Sequence, residues 1–177
     1  MRDPARAESV YSKLDPEEKY LYAKAVRRLG VHDDTCRGLY ERLKRESFED
    51  RPADPECAKR VIALLVREGF LNERRYCEEL TRRLVRSGYG PRRVEAELKR
   101  RRFAPAVIER TLRESGERAQ IDEVLQKRFA LRPTDLETRK GRAKLYQYLV
   151  RMGFSGSDAQ NAVDRLKADP AREEDEL

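Results

Sequence analysis

The sequence predicts an all-α protein of three tandem three-helix repeats in an elongated array. Three observations lead there. Helix-start and helix-stop residues recur along the whole chain. A set of apolar positions returns fifty-five residues after its first appearance. Charged residues reach 41% against 38% hydrophobic, with no Trp, which favours a thin helical assembly with a very polar surface over one thick core. At 177 residues the length alone allows one domain or several small units sharing a core.

Residues 1–14 show no sustained periodicity and read as a flexible arm. Asp15-Pro16-Glu17-Glu18 is a strong helix start, with Asp15 as N-cap, Pro16 in the first turn and Glu18 placed to reach back. Leu21, Ala25 and Leu29 continue on one face to Gly30. Asp33-Asp34-Thr35 offers the next cap, and Leu39 and Leu43 mark a second helix to about Arg45, with Phe48 behind it. Glu49 to Asp54 reads as an acidic, Pro-containing connector. Asp54-Pro55-Glu56 then opens a third helix, whose broad apolar face is Val61, Ile62, Leu65 and Val66 and whose stop is Gly69. Residues 15–70 form the first repeat.

The second repeat, 71–115, begins with Asn72 capping a helix that lines up Tyr76, Leu80 and Leu84. Ser87-Gly88-Tyr89-Gly90-Pro91 is a helix–turn–helix joint: Gly88 suits the left-handed position past a helix end, and Pro91 suits the first turn of the next helix. Val94 and Leu98 lie one turn apart, and Phe103 closes over the same side. Val107, Ile108 and Leu112 belong to the third helix. In the last repeat, 116–168, Ile121, Val124, Leu125 and Phe129 make one helix, broken before Pro133. Thr134 with Glu137 forms a capping box for the next, which carries Leu145 and Leu149 up to Met152-Gly153-Phe154. Ser155 with Asp158 starts the last helix, carrying Ala162, Val163 and Leu166. Residues 169–177 are an acidic tail expected to be disordered.

The repeat is visible when the segments are superposed. Leu21, Ala25, Leu29, Leu39 and Leu43 return as Tyr76, Leu80, Leu84, Val94 and Leu98, and the pairs Leu43/Phe48, Leu98/Phe103 and Leu149/Phe154 each close a second helix. Val61-Ile62 mirrors Val107-Ile108 in the third helices. One such unit is marginal alone, so neighbours bury apolar surface against one another and the chain is expected to be a monomer.

Charge is unevenly spread. From Arg74 to Arg102 there are eleven basic residues and four acidic ones, an excess equal to the net +7 of the whole chain. Arginine's planar, permanently charged fork suits phosphates and carboxylates, so Arg82, Arg83, Arg86, Arg92, Arg93, Lys99, Arg100, Arg101 and Arg102 are the candidate contacts to a polyanion. Four carboxylates are too few to neutralise them, which argues against a merely solvated face. Arg74 and Arg75 can instead pair with Glu78 and Glu79 along one helix. Tyr89, between two glycines, suits stacking on a base or filling a partner pocket, and equally suits covering the helix joint. Gly88, Gly90 and Pro91 are expected to shape the turn and contact nothing.

Enzymatic chemistry finds no footing. His32 is the only histidine, there is no P-loop or dinucleotide fingerprint, and the serines and cysteines lack a base paired in sequence. Cys36, Cys57 and Cys77 are odd in number with no Cys-x-x-Cys spacing, against a disulfide framework or a zinc site, and are expected to pack as small hydrophobes. No cofactor is implied. No apolar run is long enough for a bilayer and the start lacks a secretory h-region, so no membrane association and a cytoplasmic location are expected.

Gly69-Phe70-Leu71-Asn72, then Tyr76, then Gly88-Tyr89-Gly90-Pro91, then Val94 with Glu97-Leu98 resemble the RecX family of recombination regulators, most closely over Arg60 to Ser115. The resemblance implies three tandem three-helix repeats in a curved array. It also implies binding to the RecA recombinase filament on single- or double-stranded DNA, with suppression of its ATPase, strand-exchange and co-protease activities, and so a role in recombination, DNA repair and the SOS response. The basic middle of the chain would then face the filament groove and its DNA. The acidic connector after Phe48 and the acidic tail beyond Lys167 depart from the family pattern. A sequence-independent DNA-binding module acting without a recombinase is the alternative, and composition does not separate the two.

Overall fold

A computed structural model describes residues 11–114, 120–129 and 138–168. Among them are nine helices, α1 (Pro16–Leu29), α2 (Cys36–Leu43), α3 (Pro55–Arg67), α4 (Glu73–Arg86), α5 (Pro91–Arg100), α6 (Pro105–Glu114), α7 (Gln120–Phe129), α8 (Arg139–Met152) and α9 (Gly156–Ala168), and two short strands, β1 (Ser47–Phe48) and β2 (Arg51–Pro52). The fold is helical, as expected. The described residues form two compact units: one runs to Glu78 and takes in Lys99–Val107, the other is Glu79–Leu98 with the residues from Ile108 onward. The unit boundaries fall inside α4, α5 and α6, so the basic span divides between them.

In the first unit the helix starts are made by the residues that announce them. Asp15 Oδ1 accepts from Glu18 N at 2.8 Å while Asp15 N donates to Glu18 Oε2 at 3.1 Å, the reciprocal capping box that satisfies two otherwise orphaned donors. Thr35 Oγ1 accepts from Gly38 N, Asp54 from Glu56 N, and Asn72 Oδ1 from Arg75 N. α1 packs on α3, with α2 against both. Their shared core is Leu21, Ala25, Leu39, Leu43, Val61 and Leu65, of which four are fully inaccessible to solvent. Each such side chain contributes roughly 1.5–3 kcal/mol of burial.

Three details differ from expectation here. The connector after Phe48 is a β-hairpin, pairing Ser47 with Pro52 and Phe48 with Arg51 across a turn in which Glu49 and Asp50 both have positive φ. Such turns usually carry Asn-Gly or Asp-Gly, so Glu-Asp hides the hairpin from a reading of residue types. Its anchor is Glu17, a buried carboxylate that accepts from Asp54 N and from Arg51, both at 2.6 Å. The α3 face is Cys57, Ala58, Val61, Leu64 and Leu65, while Val66 is 47% exposed. Since Ile108 and Thr111 are the buried residues of α6, Val61 corresponds to Ile108, one place on from the expected pairing of Val61-Ile62 with Val107-Ile108. Tyr11, assigned to the loose arm, sets its ring 5.6 Å from that of Tyr22; residues 1–10 of that arm lie outside the described set.

The second unit is centred on α8 and α9, with Ile121, Val124 and Leu125 of α7 joining Leu145, Leu149, Phe154 and Ala162. The described N-cap of α8 is Thr138, which accepts from Gly141 N; the capping box expected at Thr134 and Glu137, the break at Pro133, the Phe129 side chain and the tail at 169–177 lie outside the described residues. Ser155 caps α9 as expected, accepting from Asp158 N at 3.0 Å. Val94 and Leu98 of α5 are 1% and 0% exposed, and Phe103 is buried too. Among the described residues no helix is long and apolar enough to cross a membrane.

Candidate polyanion interface

The helix–turn–helix joint is built as its residues dictate, with Gly88 at φ +82 and Pro91 opening α5. It does more than turn. Gly90 N donates to Met152 O at 2.7 Å and Arg92 N to Gly153 O at 3.1 Å, so donors orphaned at the start of α5 are satisfied by carbonyls orphaned at the end of α8. A Cβ on Gly90 would lie 2.7 Å from Gly153 C and from Phe154 N; one on Gly153, itself at φ +97, would lie 2.5 Å from Arg93 Cβ. The expectation that Gly90 contacts nothing is therefore corrected: its missing side chain lets two backbones touch. Gly88 likewise sits where a Cβ would come within 3.1 Å of Val124.

This docking brings Arg92, Arg93 and Arg151 of the second unit to one junction. Arg93 NH1 donates to Arg151 O at 3.3 Å, and the Arg93 guanidinium stacks 4.1 Å from the centroid of the Tyr89 ring. Tyr89 is half-buried against the core of the unit rather than exposed, so of its two expected roles the ring is seen covering the joint. Because protein carbonyls already take the N–H groups at this helix start, the positive character of the junction comes from the guanidinium groups.

On α4, Arg82, Arg83 and Arg86 share one exposed face, opposite the buried Cys77, Leu80 and Thr81. Among the described residues Arg82, Arg83, Arg86 and Arg92 have no carboxylate partner. Arg74 is different, pairing with Glu78 at 2.7 Å as its spacing suggests. Lys99, Arg100, Arg101 and Arg102 belong to the first unit. There Arg101 is half-buried and its NH1 donates to Tyr76 Oη at 2.8 Å, while Tyr76 packs its ring 5.0 Å from Phe103. Arg101 thus ties the end of α5 to Tyr76.

The charge count over 74–102 missed one element. α8 carries Arg139, Lys140, Arg142, Lys144 and Arg151 with no acidic residue in fourteen positions, and it lies in the same unit as Arg82 to Arg93. That helix alone held the signal, five basic residues against none acidic.

His32 is exposed. Asp15, Glu18 and Cys57 bring ligand-type atoms within 4.8 Å of one another, and Arg60 occupies them: its Nε donates to Glu18 at 2.5 Å and its NH2 to Cys57 Sγ at 3.1 Å, with Asp15 3.6 Å away. Burial pushes the Cys57 thiol up to about 11, with Asp15's charge adding to it, and pushes Cys36 up to about 12, with Glu73 hydrogen-bonded beside it. Both thiols are protonated at neutral pH and poor nucleophiles.

Comparison with known proteins gives one consistent answer. Residues 72–112 match the family model for RecX, second three-helix domain, and residues 116–163 that for RecX, third three-helix domain. The chain is 39% identical over 128 residues to the regulatory protein RecX of Pseudomonas syringae pv. tomato, covering 70% of this chain and 82% of that one. It is 35% identical over 135 residues to the regulatory protein RecX of Pseudomonas fluorescens strain SBW25, covering 74% and 84%. The crystal structure of RecX from Lactobacillus salivarius superposes with a TM-score of 0.71 over 88% of this chain and 100% of that one; at 18% identity this is a likeness of fold.

Proposed function

Because the chain belongs to the RecX family, we propose that it binds the RecA recombinase filament on DNA and lowers its ATPase, strand-exchange and co-protease activities. The family is one of regulatory proteins and not of enzymes. The observation that carries the proposal is the set of guanidinium groups on α4 and α5, Arg82, Arg83, Arg86 and Arg92, exposed and without carboxylate partners among the described residues. Uncompensated arginines lose little on meeting phosphate or carboxylate, because no internal ion pair must break first. Arg93 and Arg151, joined at the α5–α8 junction, extend the same unit's basic surface. The division into repeats at 15–70, 71–115 and 116–168, and action inside the cytoplasm, belong to the same proposal.

RecA ATPase on single-stranded DNA, measured with increasing amounts of this protein, tests it. Inhibition well below one copy per recombinase subunit is expected, because docking on or capping a filament affects many subunits at once. Absence of inhibition at saturation contradicts the proposal. Inhibition only near stoichiometric coating, and only where free-DNA binding saturates, supports the second reading, a DNA-binding module that competes for the strand.

A further inference from the structure

The first unit holds a pocket of about 450 Å³, within the range of small-ligand sites, lined by six arginines against three acidic residues. Asp34 is its organising group. Its Oδ1 accepts from Thr35 N at 3.0 Å, and its Oδ2 accepts from Arg28 Nε at 2.9 Å and Arg42 Nε at 3.1 Å. One largely buried carboxylate therefore grips two guanidinium groups by the same nitrogen. The terminal NH1 and NH2 groups of both have no acceptor among the described residues. Of the other two acids, Glu41 is paired with Lys44 at 3.2 Å, and Asp33 is exposed.

Arg102 lines the same pocket from the end of α5, with φ +66. The other left-handed helix ends among the described residues are Gly69, Gly88 and Gly153. A side chain at such a position is strained, and the strain here holds a guanidinium at the pocket wall. Arg45 adds another; among the described residues it makes no side-chain hydrogen bond or ion pair, while the Lys44 hydrogen bond, with the charges of Arg102 and Arg45, holds the Glu41 carboxyl below its ordinary range.

From this we infer that the pocket is a receptor for a single phosphate group, gripped by the terminal nitrogens of Arg28 and Arg42 with Arg45 and Arg102 closing around it. Guanidinium groups fixed through Nε and open at the fork are preorganised for phosphate oxygens. The phosphate comes from a free phosphorylated small molecule or from a nucleic-acid strand. The inference stands apart from the recombinase reading, and its test contains no recombinase.

The test is an amide-resonance titration of the full chain at constant ionic strength with pyrophosphate, with a mononucleotide, and with a short single strand carrying or lacking a 5′-phosphate. Saturable shifts at Thr35 and Gly38 are expected, absent with added chloride. A pyrophosphate or mononucleotide response marks a free ligand as the source, and a response to the strand alone marks nucleic acid. Arg45→Gln and Arg102→Gly should each weaken the response at least five-fold. Arg102→Gly should at the same time raise Tm, since glycine relieves the left-handed backbone; a loss of binding with a gain of stability is something a merely structural arginine would not produce. No saturable shift at Thr35 and Gly38 with any probe, or full affinity retained in both variants, overturns the inference.

Discussion

Thr81 is 2% exposed on the inner face of α4, and its hydroxyl has no hydrogen-bond partner among the described residues. A buried, unsatisfied hydroxyl costs about 1–3 kcal/mol, so Thr81→Val, nearly the same shape, should stabilise the protein by about 1 kcal/mol in denaturant unfolding. A loss of stability would mean the hydroxyl has a partner. Cys57 makes the second residue-scale case. Its thiol is raised from 9.0 to about 11 by burial and the charge of Asp15, so the folded state favours the protonated form. A raised folded value contributes stability that is complete below pH 9 and is lost as pH climbs through about 11. The difference in unfolding free energy between the wild type and Cys57→Ala should accordingly shift against the wild type across that window and stay flat from pH 6 to 8.

At the scale of elements, the meeting of α5 and α8 is the joint on which the second unit's basic surface depends. Gly90→Ala puts a methyl group 2.7 Å from the Gly153 backbone, where no flexible side chain can give way. It should cost about 1–3 kcal/mol, the range for overpacking, and should move the Arg93 and Tyr89 resonances. An unchanged Tm would show that the backbones do not approach so closely. This contact was illegible in the sequence for a physical reason: Gly90 and Gly153 are sixty-three residues apart, and nothing local distinguishes a glycine needed for its turn from one needed for its missing Cβ. The helix starts at Asp15, Thr35, Asp54, Asn72 and Ser155 were legible because a cap is a contact made within three residues. The hairpin at Glu49-Asp50 was not, since its residues lack the usual glycine. Val66 was placed on the core face in place of Leu64 because both fit a broad apolar stripe, and only packing decides which is covered. Of the candidate site, the unpartnered α4 arginines were legible from the shortage of acids nearby. The hydrogen bond of Arg101 to Tyr76 and the stacking of Arg93 on Tyr89 depend on tertiary neighbours.

For the whole molecule, a net charge of +7 means little by itself, since solubility accounts for several units. What matters is that Arg82, Arg83, Arg86 and Arg92 have no anion beside them among the described residues, while acids elsewhere do have a cation: Glu17 takes Arg51, Glu18 takes Arg60, and Asp34 takes Arg28 and Arg42. Carboxylates are paired in the second unit as well, Glu109 with Arg113, Glu114 with Arg110 and Asp122 with Arg165, and the four arginines of α4 and α5 still stand outside the pairing. The direct test is a variant with Arg82, Arg83, Arg86 and Arg92 all changed to Gln, assayed for RecA ATPase inhibition and for the salt dependence of DNA binding. All four are exposed, so Tm should hold, while inhibition should be lost and the log–log salt slope should fall by roughly 0.7–0.9 for each phosphate contact removed. A variant that inhibits like the wild type, with an unchanged salt slope, would contradict the account.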